Sequence, residues 1–241
     1  MPSLSSSTLS LVLLVAGYLQ ARCMTSPNPA RSSNLPLHNT DRIRFLTTTT
    51  MDLLTHASNA ATIYQVLITL FSPSPPSELD RYITQTLLPY PENLNPGTVH
   101  WSLSTIANLI LVAVGAAVRL SAYGNLGQNF TFHLAHPDRL ITDGVYGYLQ
   151  HPSYTGLVLV NIGYAGLVIG RLDTPAVCLV PGALLGVLRE CEWLLLGLGV
   201  LVLFVVMGVR IRDEERMLRG RFGGEWERWH RRTARLVPGV F

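Results

Sequence analysis

One apolar run limits the folds open to this chain more than any other feature. Residues 193–209 read WLLLGLGVLVLFVVMGV and contain no charged side chain over 17 residues. A helix that crosses the hydrocarbon core of a bilayer needs about 20 mostly apolar residues, within a range of roughly 17–25. The run is therefore long enough to cross a membrane, and it predicts an integral membrane protein.

Four weaker apolar stretches accompany this run, and the whole chain is poor in charge. Charged residues make up 14% of the sequence, against about 25% in a typical soluble domain. The additional predicted spans are Ser10–Leu19, Leu53–Phe71, Leu103–Leu120 and Tyr154–Gly170. We therefore predict an all-α, polytopic transmembrane helix bundle of about five spans.

Two apolar segments are irregular. Ser10–Leu19 is short, so it predicts either a retained first span or the apolar part of a signal peptide, although no basic residue precedes it. Ala176–Leu188 contains a Pro-Gly pair and is too short to cross, which predicts an interfacial segment. On this pattern, residues 1–100 hold N-terminal spans and connectors, and residues 101–241 hold a core with the last three spans.

The arginines predict how the spans are oriented. All 18 basic residues are arginine: four lie in residues 21–52, one in residues 72–101 and nine in residues 210–241. Positive residues collect in short cytosolic loops. We therefore predict that residues 21–52, the loop 121–153 and a helical C-terminal segment lie together in the cytosol.

The first polar motif, QHPSYTG at residues 150–156, precedes an apolar stretch directly. Pro152 suits the first turn of a helix, where its missing N–H is no loss. His151 then lies at the helix start, where unpaired N–H groups favour a carboxylate or similar anion. Taken alone, the motif is better explained by the ordinary preference of His and Tyr for membrane interfaces.

The second motif is RIRDEERMLRGRFGGEWERWHRR at residues 210–232. Its spacing predicts that the last span continues as a helix to about Arg221, that Gly223 and Gly224 break it, and that Trp226, Trp229 and His230 share one stripe. A juxtamembrane helix with weak i,i+4 ion pairs and a tryptophan anchor explains most of this composition. Acidic residues Asp213–Glu215 beside an anionic bilayer favour a ligand contact instead.

Other familiar site types are absent from the sequence. The three cysteines have no C-x-x-C spacing, and the sequence contains no P-loop, G-x-S-x-G or H-E-x-x-H motif. We therefore expect neither a metal ion nor a nucleic acid as a partner. The apolar stretches, by contrast, predict a lipid bilayer as a partner.

Together, LITDGVYGYLQHPSYTG, RIRDEERMLRGRFGGEWERW and the closing RTARLVPG resemble the isoprenylcysteine carboxyl methyltransferase family of membrane enzymes. The resemblance covers roughly residues 103–241. It implies S-adenosylmethionine as the cofactor, the α-carboxylate of a C-terminal prenylcysteine as the acceptor, and an endoplasmic-reticulum membrane. It also implies a helical bundle whose last two spans and C-terminal segment build the cofactor pocket.

The resemblance also assigns roles to individual residues. Its cofactor pocket corresponds to Asp138, Arg139, Leu140, Ile141, Tyr146, His151, Pro152, Ser153, Tyr154 and Glu214. Arg210 corresponds to the arginine that holds the acceptor carboxylate, with Arg232 and Arg235 as weaker candidates. A chain-terminal carboxylate is ionised at pH 7, since its pKa is about 3.5. We therefore expect catalysis by positioning, with no residue acting as acid or base.

One departure from the family pattern leaves the acceptor open. The family usually has Arg-His-Pro where this chain has Gln150-His151-Pro152. A phospholipid amine or another small lipophilic acceptor is the first alternative, although Arg210 facing the acceptor would disfavour an ammonium. A membrane scaffold without enzymatic activity, whose tail binds anionic lipid, is the second.

Overall fold

Each of the five apolar stretches lies wholly or mostly within an α-helix of the computed structural model, which describes residues 3–28, 49–72, 77–130, 137–170 and 172–240. The helices are α1 (Leu4–Met24), α2 (Thr49–Leu70), α3 (Glu78–Leu87), α4 (Leu103–Leu126), α5 (Pro152–Val168), α6 (Gly182–Glu190), α7 (Glu192–Phe222) and α8 (Gly224–His230). The described residues form no strand, only an isolated parallel bridge between Leu149 and Ala234. The all-α class is therefore confirmed.

Among the described residues, three helical segments are long and apolar enough to cross a membrane: α1, Leu103–Asn129 and α7. α5 has 17 residues, or about 25 Å at 1.5 Å per residue, short of the roughly 30 Å hydrocarbon core. α2 carries Asp52 and His56 among its apolar residues. The three spans agree with an integral membrane protein, while the count of five and the cytosolic C-terminus stay predictions.

The strongest apolar run and the charged segment after it form one continuous helix, as predicted. α7 has 31 residues and ends at Phe222. The next residue, Gly223, has a φ of 49°, a left-handed conformation that glycine adopts at little steric cost. α8 then begins at Gly224. The Gly-Gly pair therefore breaks the helix and redirects the tryptophan-containing segment.

The chain divides into two units, each built from segments that are distant in sequence. One unit comprises Met1–Ala21, Thr55–Ala113 and Val160–Leu198. The other comprises Arg22–Leu54, Val114–Leu159 and Gly199–Phe241. The second unit contains both polar motifs and the whole predicted site, so the chain fold brings residues near 150 and near 214 into one unit.

Close helix packing holds the first unit together. Its core includes Leu9, Leu13, Val66 and Val112, and α5 approaches α4 so closely that a Cβ at Gly163 would lie 2.6 Å from the Asn108 carbonyl oxygen. The buried Tyr164 hydroxyl donates a hydrogen bond of 2.6 Å to the Ser58 carbonyl of α2. Small residues thus let the helix backbones approach.

The connectors of the first unit are tied by side-chain and backbone hydrogen bonds. Ser77 and Asp80 form a capping box at the start of α3, and hydrogen bonds from the Ser77 side chain and backbone hold the pKa of Asp80 below its ordinary value. Asn93 donates to the Val180 carbonyl at 2.9 Å. The predicted interfacial segment Ala176–Leu188 consists of the end of a short 3-10 helix and most of α6.

Candidate functional site

The C-terminal tail lies along the start of α5. The backbone N–H groups of Gln150 and His151 donate to the carbonyls of Ala234 and Arg235, at 2.8 and 3.0 Å. The Thr155 hydroxyl donates to the Leu236 carbonyl at 2.7 Å. These main-chain contacts fix the tail against the QHPSYTG motif, so the two motifs form one structural assembly.

Gln150 is the side chain at the centre of this assembly. It is buried, with 3% of its surface exposed. Its Nε2 donates to the carbonyls of His230, at 3.0 Å, and Thr233. Because Nε2 is the donor, Oε1 accepts, and His230 Nδ1–H donates to it at 2.7 Å. Gln150 therefore uses its whole amide to hold the tail.

The loop before α5 is fixed from the same side. Trp229 donates its indole N–H to the Tyr146 carbonyl at 2.9 Å, and Tyr146 lies in a 3-10 helix, Gly144–Gly147. Burial, helped by the nearby Glu214 and Tyr154, raises the pKa of Tyr146 far above its ordinary value. The Tyr146 hydroxyl therefore stays protonated and can donate a hydrogen bond, but it cannot act as a base near neutral pH.

Two carboxylates of α7 meet the start of α5. The Tyr154 hydroxyl donates to Glu214 Oε2 at 2.9 Å. His151 places Nε2 3.3 Å from Glu215 Oε1 and Nδ1 3.8 Å from Glu214 Oε2. Arg235 also pairs with Glu215, at 3.2 Å. Glu215 therefore binds the imidazole and the tail, whereas the Glu214 side chain keeps 29% of its surface exposed.

Arg119 of α4, which none of the sequence motifs indicated, holds the first turn of α5. It is buried, and its Nη1 donates to the Ser153 carbonyl at 2.9 Å and to the Ser153 hydroxyl at 2.8 Å. Its Nε donates to the Cys23 carbonyl at 2.6 Å. Arg119 lies within a predicted span, Leu103–Leu120. Its position could have indicated a role, since ionisable residues within membrane spans are rare and usually functional.

These elements enclose a cavity of about 220 Å³. The sequence-predicted residues that line it are Arg139, Leu140, Ile141, Tyr146, His151, Ser153, Tyr154, Arg210 and Glu214. Arg119, Gln150 and Trp229 line it as well, and so do apolar side chains of α7, Leu203, Val206 and Met207. Residues of both motifs therefore line one cavity, and its wall contains both polar and apolar side chains.

Four predicted residues lie outside this lining. Pro152 is fully buried as the first residue of α5, and Asp138 is exposed next to the lining residue Arg139. Arg232 is exposed as well. Arg235 contacts Glu215 and lines a different cavity. Of the three candidate acceptor arginines, the structure thus places only Arg210 at the cavity.

Within the described residues no group of three or more His, Cys, Asp or Glu side chains is arranged to hold a metal ion. The three cysteines are unpaired, and Cys23 and Cys178 are buried.

Comparison with known proteins gives the same family as the motifs. Residues 108–220 match the model of the "Isoprenylcysteine carboxyl methyltransferase (ICMT) family". A protein of Oryza sativa subsp. indica, named "Probable protein-S-isoprenylcysteine O-methyltransferase", is 27% identical over 163 residues, which are 66% of this chain and 71% of the rice protein.

Two further relatives carry related names. "Protein-S-isoprenylcysteine O-methyltransferase A" of Arabidopsis thaliana is 30% identical over 45% of this chain and 54% of its own length. "Protein-S-isoprenylcysteine O-methyltransferase" of Schizosaccharomyces pombe is 27% identical over 57% of this chain and 51% of its own length. In sequence, the chain is thus similar to the isoprenylcysteine carboxyl methyltransferase family.

Proposed function

We propose that this protein transfers a methyl group from S-adenosylmethionine to the C-terminal α-carboxylate of a prenylated cysteine, giving a methyl ester. The observation that carries the proposal is the composition of one cavity wall. Along α7, the apolar Val206 and Met207 precede Arg210 and Glu214, and the apolar Met217 and Leu218 follow them; all six line the same cavity. An acceptor with an apolar chain and a terminal carboxylate matches the step from Val206 and Met207 to Arg210.

The residues at the polar part of the wall suit the cofactor. S-adenosylmethionine supplies an activated methyl group on a sulfonium, together with ribose hydroxyls that can donate hydrogen bonds. The Glu214 side chain is partly exposed. The Tyr154 hydroxyl donates to one of its two carboxylate oxygens, Oε2, so the second oxygen remains for a ligand. His151 Nδ1 is buried without a hydrogen-bond partner, an arrangement that a polar ligand would relieve. We assign Glu214, His151 and Tyr154 to the cofactor on these grounds.

Arg210 is the residue best placed for the acceptor carboxylate. It is buried, with 8% of its surface exposed, and it interacts with the Tyr154 hydroxyl. Its planar guanidinium can bind both oxygens of a carboxylate. The carboxylate is already ionised at neutral pH, so the protein needs to orient the reactants and exclude water rather than move a proton.

The hydrogen bonds of Gln150 bear on the acceptor. Its amide is committed to His230 and Thr233, so the residue acts here as an anchor of the tail. We infer that acceptor binding in this chain does not require a charge at position 150. A carboxylate acceptor is therefore compatible with Gln150, and Arg210 at the cavity disfavours an ammonium acceptor.

We further propose an endoplasmic-reticulum membrane with a cytosolic C-terminus. Nine arginines after Val209 support the orientation, and the family supports the compartment.

The test uses membranes that contain the full chain, radiolabelled S-adenosylmethionine and N-acetyl-S-farnesylcysteine. We expect base-labile label, released as methanol, which identifies a methyl ester. Stable label in phospholipid would replace the proposal with an N-methyltransferase, and absence of any label together with absence of cofactor binding in detergent would favour a scaffold.

Two variants connect the activity to the cavity. We expect Glu214→Gln to raise the KM for S-adenosylmethionine about tenfold or more, and Arg210→Gln to lower kcat/KM for the acceptor about 10–100-fold, because each change removes a charged hydrogen-bond partner. Glu225→Gln, at an exposed position of α8, is the matched control. Unchanged kinetics in both cavity variants would remove this site assignment.

A further inference from the structure

A second cavity, of about 410 Å³, lies beside the C-terminal tail. Five arginines line it: Arg212, Arg216, Arg219, Arg231 and Arg235. Only two carboxylates, Glu215 and Glu227, line it with them. The wall thus carries a formal excess of three positive charges, and of the predicted cofactor and acceptor residues it contains only Arg235.

Three of the arginines are paired, and two are not. Arg219 pairs with Glu227 at 2.9 Å, and Arg235 pairs with Glu215 at 3.2 Å. Arg216 pairs with Asp213, at 3.5 Å. In the part of the chain that the structure describes, Arg212 and Arg231 have no carboxylate partner within ion-pair distance. The positive charges of these two guanidinium groups are therefore not balanced by a carboxylate partner in the described part of the chain.

One residue that lines the cavity, Trp226, also has a buried donor without an acceptor. Trp226 has 5% of its surface exposed, and its indole N–H has no hydrogen-bond partner. Its ring stacks on His230, with centroids 4.4 Å apart. The sequence pattern allowed Trp226 to be a lipid-facing anchor, but its burial contradicts that interpretation. A buried donor costs free energy until an acceptor reaches it, so a residue of this wall retains an unused hydrogen-bond donor beside the two unpaired guanidinium groups.

We propose that this second cavity binds the phosphate group of an anionic ligand. Guanidinium groups bind phosphate oxygens in pairs, and several of them can surround one phosphate. Arg212 lies three residues beyond Val209, the end of the apolar run, which is about 4–5 Å along the helix. That is the depth of the headgroup region, so a phospholipid headgroup is the source that the position favours. The inference does not depend on the proposed methyl transfer.

The test uses the full chain purified in an uncharged detergent at fixed ionic strength. Binding of dioctanoyl phosphatidic acid, inorganic phosphate and dioctanoylglycerol is measured by calorimetric titration. We expect saturable binding of phosphatidic acid and none of dioctanoylglycerol. Binding of phosphatidic acid alone identifies a lipid headgroup, and competition by inorganic phosphate identifies a soluble phosphate source. Equal binding of dioctanoylglycerol, or no saturable binding of either phosphate compound, would overturn the proposal.

A matched pair of double variants separates a built site from general attraction. Arg212→Gln with Arg231→Gln removes the two unpaired guanidinium groups, and we expect the Kd for phosphatidic acid to rise at least tenfold. Arg221→Gln with Arg228→Gln removes the same charge from exposed positions outside the cavity, and we expect less than a twofold change. Equal weakening in both would show diffuse electrostatic attraction and would overturn the site.

Discussion

The hydroxyl of Tyr154 donates a hydrogen bond of 2.9 Å to Glu214, although 60 positions separate the two residues. The contact joins the first turn of α5 to the polar end of α7. It holds one carboxylate oxygen of Glu214 while the side chain stays partly exposed at the cavity. Tyr154 therefore acts on the proposed reaction by orienting the residue that we assign to the cofactor.

The first prediction removes only this hydroxyl. Tyr154→Phe should raise the KM for S-adenosylmethionine about 3–30-fold and change kcat less, because hydrogen bonds to charged groups contribute roughly 1.5–3 kcal/mol at most. Steady-state kinetics with varied cofactor give both constants. Tyr148→Phe is the control, since Tyr148 is 77% exposed. A purely structural role would lower kcat and the fraction of active enzyme without moving the KM.

The second prediction concerns Gln150. Gln150→Met keeps the length of the side chain but leaves the His230 and Thr233 carbonyls without their donor. Unsatisfied buried polar groups cost about 1–3 kcal/mol each, so the free energy of unfolding should fall by an amount of this order. Chemical denaturation in detergent measures it, and Gln85→Met, at an exposed position of α3, is the control.

The same variant tests whether the residue at position 150 determines which acceptor is methylated. We expect the preference for a carboxylate over an amine acceptor to stay the same in Gln150→Met, because the wild-type amide already faces the tail. A change of acceptor with unaltered stability would contradict the anchoring role.

Sequence patterns predicted the elements of this protein better than the contacts between them. Apolar runs predicted the long helices, Gly223 predicted the end of α7, and Pro152 predicted the start of α5, because each is a local effect of side-chain chemistry. The resemblance to a family predicted that residues near 150 and 214 meet. Several assigned residues, among them Tyr146, His151, Tyr154, Arg210 and Glu214, line one cavity, although their roles stay predictions.

The tail contacts could not be predicted in the same way. The backbone N–H groups of Gln150 and His151 bind carbonyls of Ala234 and Arg235, and main-chain pairing leaves little trace in side-chain identity. The role of Gln150 depends on where two carbonyls lie, which only the fold determines. The role of Arg119 was likewise not predicted, because its N–H groups donate to main-chain carbonyls, those of Cys23 and Ser153.

The third prediction tests the close packing of the first unit. Gly163→Ala would place a Cβ 2.6 Å from the Asn108 carbonyl oxygen and 2.8 Å from the Leu111 Cβ, so α4 and α5 must separate. Overpacking of this kind costs about 1–3 kcal/mol, and the thermal unfolding midpoint in detergent should fall. Gly186→Ala is the control within α6, where an added Cβ meets nothing within 4 Å. Equal midpoints for the two variants would contradict the close contact.

The fourth prediction concerns pH and the tail. Burial lowers the pKa of His230 below its ordinary value, and the guanidinium groups of Arg235 and Arg219 add to this against the opposing effect of Glu215. His230 is therefore neutral in the folded protein at a pH where the unfolded chain, with an ordinary pKa of about 6.5, is already protonated. Across that window the unfolded state binds more protons, so stability rises with pH.

The folded protein should accordingly lose stability as the pH falls below about 6.5, the ordinary pKa of histidine. The loss should stop once the pH is low enough for His230 to be protonated in the folded state as well. At pH values well above about 6.5, His230 should contribute no pH dependence, because it is then neutral in both states. His230→Asn removes the titrating group, while its amide N–H can replace the Nδ1–H donor to Gln150. Thermal unfolding of both proteins between about pH 5 and 8 measures the difference. We expect the wild type to lose more stability on acidification than His230→Asn, and parallel profiles would show that His230 does not titrate differently in the two states.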